Sequence, residues 1–212
     1  MKTNSMAKIA AMLASLVLTA LAADPKAAPT DLDHARLYLQ QTQSLAAGAT
    51  QGLSLAQWNF KPAPDRWSIA EIVEHMVLAQ DLVLGPVRQQ LAQAPAPPRG
   101  DDHERVDAIV INRMPDRTAK FQAPDFLQPT GRWTPAESME RLRRYYTELT
   151  KYLETTPDLR QHAVSAPALK AISKGAYESM DAYQSILLAA AHIERHTKQI
   201  LEVRADAGFP AK

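Results

Sequence analysis

Apolar residues recur at spacings of three and four along most of this chain, and proline clusters interrupt the rhythm at a few places. Such a pattern predicts amphipathic helices turned toward a common core. The first helical segment runs from about Asp31 to Ala47 and is followed by a turn through Trp58. Lys61-Pro62-Ala63-Pro64-Asp65 then breaks the chain. The second segment has the plainest start: Ser68 at the N-cap and Glu71 at N3 form a capping box, and Trp67 is placed to staple onto Ile72. It continues to about Gln93, where Ala94-Pro95-Ala96-Pro97-Pro98 stops it. Leu78, Ala79 and Leu82 share the face of His75, so that face is expected to be buried.

The third long helix opens at Thr134-Pro135-Ala136-Glu137, a second capping box with proline at its favoured N1 position. Met139, Leu142, Tyr146, Leu149 and Leu153 then draw a bundle seam, and Pro157 ends it. The fourth helix starts near Met180. Its Ile186 to Ala191 stretch is apolar on every side and should be the most buried part of the molecule. Residues 99–133 and 158–179 read as irregular, apart from a short helix around Asp102 to Arg113. No stretch shows the valine-rich alternation of a strand. The pattern predicts an all-α four-helix bundle with long irregular connections.

Composition changes this picture at one end. Lys2 and Lys8 precede an apolar run from Ile9 to Ala22, and Ala20-Leu21-Ala22 resembles a small-x-small cleavage site. Residues 1–22 are therefore expected to be a secretory signal peptide, and residues 23–212 a single domain, periplasmic or secreted. A run of about fourteen residues is short of the roughly 20 that a permanent span needs, so no stable membrane insertion is expected after cleavage. There is no cysteine, which excludes disulfides and thiolate ligands. With 24 basic and 23 acidic residues interspersed, no electrostatic footprint for nucleic acid is present. The densest basic group, Arg141, Arg143 and Arg144, reads as a solvated helix face.

The candidate chemistry lies in His75, His192 and His196. The last two are four apart on one helix and so share a side, while His75 sits on a separate apolar face. Buried unpaired imidazoles are costly, whereas a metal satisfies one nitrogen per ring. Three nitrogen ligands with an open position is the pattern of a catalytic rather than a structural site. His34, His103 and His162 fall where exposure or loops explain them. His192-Ile193-Glu194-Arg195-His196 is not the His-Glu-x-x-His motif: Glu194 is rotated about 200° from His192 and points away. Glu71, one turn before His75, is the better-placed carboxylate, although its first duty is the helix cap. No nucleophile elbow, phosphate loop or dinucleotide fingerprint is present.

Trp67-Ser68-Ile69-Ala70-Glu71-Ile72-Val73-Glu74-His75 and Ala189-Ala190-Ala191-His192-Ile193-Glu194-Arg195-His196-Thr197-Lys198-Gln199-Ile200 resemble the two signatures of the DinB-like superfamily, which includes bacillithiol and mycothiol transferases. Asn59-Phe60-Lys61-Pro62-Ala63-Pro64 fits the family's approach to its second helix. The resemblance implies a four-helix bundle over roughly residues 30–205, with His75, His192 and His196 holding a divalent metal. Zinc and nickel come first, with iron and copper also compatible. It further implies, if the protein is an enzyme, a metal-dependent thiol transferase or hydrolase acting on a small molecule. The export signal departs from relatives whose thiol partners are cytoplasmic. A non-catalytic binding or stress-response module stabilised by metal stays open, as does a homodimer that buries the tyrosine-rich third helix.

Overall fold

The computed structural model describes residues 30–90, 102–157 and 159–211. The expected signal peptide and the proline stop at 94–98 lie outside the described residues, as does the side chain of Leu82. The elements are α1 Asp31–Thr50, α2 Leu55–Asn59, α3 Ile69–Gln90, α4 His103–Arg113, α5 Pro135–Thr155, β1 Ala163–Ser165, α6 Pro167–Ile172, β2 Ser179–Asp181 and α7 Ala182–Arg204. A 3-10 turn lies at Asp125–Leu127.

Local chemistry starts the helices. Capping boxes open α1 (Thr30 with Asp33), α2 (Ser54 with Gln57), α5 (Thr134 with Glu137) and α7 (Asp181 with Gln184). At α3 the Ser68 amide donates to Glu71 Oε2 at 2.7 Å, and Ser68 Oγ accepts from the Glu71 amide at 3.2 Å. Each box satisfies two backbone donors that a helix start would otherwise leave free.

The long helices α1, α3, α5 and α7 make the bundle. Both α1 and α3 pack against α7 and against α5. Helices that follow one another as α1 to α3, and as α5 to α7, therefore sit across the bundle rather than side by side. That order requires connections long enough to cross its end. The stretches 51–68 and 156–181 supply them. Helix α7 faces both α1 and α3 and also carries α4, so it is the hub. All of Ile186 to Ala191 is buried, as the apolar run predicts. Leu142, Tyr146, Leu149 and Leu153 form the buried seam of α5. Tyr145 and Tyr146 are buried in the bundle's own core, so self-association through α5 would have to use its other face.

The 158–179 stretch departs from expectation. It holds α6 and an antiparallel ribbon pairing Ala163 with Asp181, Val164 with Met180 and Ser165 with Ser179. Three-residue strands are too short to show a period-two pattern, and their pairing is not local in sequence. The ribbon also takes Met180, so α7 starts at Ala182 instead. Beside it Arg160 reaches Asp31 Oδ2 at 2.6 Å, Asp107 Oδ2 at 2.7 Å and Asp181 Oδ2 at 3.3 Å, with its guanidinium 4.0 Å from the Tyr183 ring. One side chain thus ties the starts of α1 and α7 to α4. No helix among the described residues is long and apolar enough to cross a membrane.

Candidate metal centre

His75 lies two turns into α3, where the capping box sets its direction, and it is 4% exposed. Trp67 does more than start the helix: its ring packs against the His75 imidazole, with centroids 4.9 Å apart. His192 and His196 are one turn apart on α7, with ring centroids 4.4 Å apart. Packing of α3 on α7 brings the rings of His192 and His196 to 5.3 and 4.6 Å from that of His75. One nitrogen from each histidine then lies within 4.8 Å of the other two. The two distant stretches of sequence do converge on one point.

The hydrogen bonds show which nitrogens face that point. His75 Nδ1 is 2.9 Å from the Leu127 carbonyl, which can only accept. The proton is therefore on Nδ1 and the lone pair on Nε2. His196 Nδ1 is 2.8 Å from Gln199 Oε1, which assigns His196 the same tautomer. His192 Nε2 and His196 Nε2 are 3.1 Å apart. Two imidazole nitrogens on one tetrahedral zinc would be roughly 3.3–3.4 Å apart, so the spacing fits a shared ion.

Electrostatics favours neutral rings. Burial lowers the pKa of His75, partly opposed by its bond to Leu127. Burial, then the neighbouring His75 and the cationic Arg195, push His192 down to about 3. Burial and the two other histidines hold His196 well below the usual histidine range. Neutral imidazole is the form that binds metal.

The remaining carboxylates stand apart from the trio. Glu194 turns toward α1, where it accepts from the Tyr38 hydroxyl at 2.7 Å and pairs with Lys198 at 2.8 Å, so it faces away from the histidines as its helical position predicts. Glu71 is engaged at both oxygens, by the Ser68 amide and by Lys61 Nζ at 3.0 Å. His34 is exposed, and His103 pairs with Asp181 at 3.1 Å. Neither of these histidines, nor His162, joins the group.

Sequence reasoning missed the supports. Buried Glu74 accepts from the amides of Thr130 at 3.0 Å, Gly131 at 2.8 Å and Arg132 at 3.4 Å. Gly131 has φ +73°, a left-handed conformation that glycine adopts without strain. Glu74 and His75 thus fasten the 125–132 segment against α3. On α7, Arg195 donates to the carbonyls of Met114 at 3.2 Å, Asp116, and Ala119 at 2.6 Å. The long connection from α4 to α5 is pinned by side chains beside the histidines. Backbone carbonyls leave no signature in a sequence. Gln199, one turn after His196, is the one support that spacing could have revealed.

The DinB superfamily model matches residues 38–200. The chain belongs to the DinB superfamily. Among solved structures it is similar to YfiT from Bacillus subtilis, described as a probable metal-dependent hydrolase with an unusual four-helix bundle topology. That likeness has a TM-score of 0.50 and 15% identity, covering 89% of this chain and 95% of that one. At that identity it bears on the fold, and it agrees with the all-α bundle expected from the periodicity. No curated protein matches the chain.

Proposed function

We propose that this DinB-superfamily protein holds one divalent metal ion on His75, His192 and His196 and acts as a metal-dependent hydrolase or transferase on a small molecule. The observation that carries the reading is the convergence of three imidazole nitrogens within 4.8 Å, two of them with their lone-pair side fixed by other bonds. Zinc and nickel are the leading ions, since imidazole suits both. Bound there, a divalent ion supplies Lewis acidity and lowers the pKa of water or of a thiol. The chain's own part is to hold three neutral rings in place, to keep Trp67 over one of them, and to pin the 115–132 connection beside the site. The description of YfiT as a probable hydrolase favours hydrolysis over thiol transfer, as does the predicted export signal of residues 1–22.

A non-catalytic, metal-stabilised module is the alternative. It is favoured by the lack of a carboxylate in the histidine group among the described residues, which leaves no obvious general base. Turnover on ester, amide and thiol substrates separates the two readings.

Elemental analysis of untagged protein should give one divalent ion per chain. His192→Ala should remove it while the fold persists. Full metal content in that variant after chelation and reloading would overturn the assignment.

A further inference from the structure

Three side chains on one face of α7 follow at intervals of three: His196, Gln199 and Glu202. They are joined by Arg117, which arrives from the connection after α4. Arg117 makes a two-pronged pair with Glu202, Nε to Oε1 at 2.9 Å and Nη2 to Oε2 at 2.7 Å. Its Nη1 donates to Gln199 Oε1 at 3.4 Å, and the same oxygen faces His196 Nδ1 at 2.8 Å.

Resting on the metal reading above, we propose that Gln199 is a positioning residue for His196, and that Arg117, held by Glu202, selects which end of the Gln199 amide faces the ring. The chemistry of the amide makes this selection matter. With its oxygen toward His196, Gln199 accepts the Nδ1 proton and leaves Nε2 free to bind an ion. Turned over, its NH2 group would donate to Nδ1, move the ring proton to Nε2 and block coordination. Arg117 has only donors, so it tolerates the oxygen and rejects the NH2 group. Arg117 is itself in a fixed segment, because Arg195 holds the carbonyls of Met114, Asp116 and Ala119 on either side. The connection between α4 and α5 therefore sets the tautomer of a residue in the site without touching the ion.

The effect is separable from stability. Arg117 and Glu202 are 24% and 43% exposed, so even this two-pronged pair is partly screened by water and its contribution to folding is modest. Breaking it should lower the melting temperature of the metal-free protein only slightly, while weakening metal binding by a clear factor.

The test titrates Co2+ against a chromogenic chelator in the full chain, comparing the parent with Gln199→Met, Gln199→Glu, Arg117→Met and His196→Ala. Gln199→Met should bind about 10–100-fold more weakly. Gln199→Glu should bind like the parent, because a carboxylate accepts the same proton and suits Arg117. Arg117→Met should weaken binding by a smaller factor and provides the test if Gln199→Met fails to fold. A long-range 1H–15N spectrum of the metal-free parent should show His196 protonated at Nδ1. Parent-like Co2+ affinity in Gln199→Met, or a His196 proton on Nε2 in the parent, overturns the proposal even where His196→Ala abolishes binding. A parent that binds no Co2+ sinks the metal reading instead, and the tautomer measurement still decides whether Gln199 orients the ring.

Discussion

At the scale of single residues, the unusual feature is three imidazoles kept neutral side by side. Desolvation lowers all three pKa values, and repulsion from neighbouring rings adds to it at His192, which falls to about 3, and at His196. The consequence for stability has a definite sign. In the unfolded chain each histidine titrates near 6.5, whereas in the fold it stays unprotonated to lower pH. Between about pH 6.5 and the folded-state pKa values, the unfolded state binds more protons, so stability falls as pH falls. The metal-free protein should lose up to about 1.4 kcal/mol per pH unit for each histidine in that window. Urea melts at pH 7, 6 and 5 measure this, and His196→Ala should flatten the slope. A stability unchanged from pH 7 to 5 would show that the rings are not desolvated as the structure has them. Acid should also release the ion, because protonated imidazole has no lone pair to offer.

At the scale of elements, helix starts decide where the histidines point, and the boxes differ in what else they hold. Among the described residues the Ser68 side chain bonds to its own helix start, so Ser68→Ala should cost about 1 kcal/mol. Asp181 is fully buried, accepts from the Gln184 amide at 2.7 Å, and is also the partner of Arg160 and His103. Removing it leaves the Arg160 guanidinium short of a partner as well as a helix uncapped. Asp181→Ala should therefore cost more, about 2–3 kcal/mol in urea denaturation. Equal losses for the two variants would mean that the Arg160 cluster adds nothing beyond the cap. Burial raises the pKa of Asp181, opposed by the Gln184 amide and by Arg160.

For the molecule as a whole, an ion on His75, His192 and His196 would cross-link α3 to α7, the hub of the bundle. Ion that binds only the folded state stabilises it by mass action, about 2.7 kcal/mol at a hundredfold excess over Kd. For a chain of this length that amounts to roughly 5–10 °C in Tm. Scanning calorimetry before and after chelation should show this drop, and His192→Ala should show none. The sequence by itself determined the four long helices, because period and caps act within a few residues: the α5 seam, the Ser68–Glu71 box and the apolar run before His192 all read directly. The two histidine signatures likewise pointed to one site. Only the tertiary structure decided the diagonal order of the helices, the Ala163–Asp181 ribbon, the choice of the His75 nitrogen by Leu127, and the Glu74 clamp. Each of these joins groups far apart in the chain or uses a backbone carbonyl or amide. Such groups are the same in every residue, so only their placement in space gives them a role.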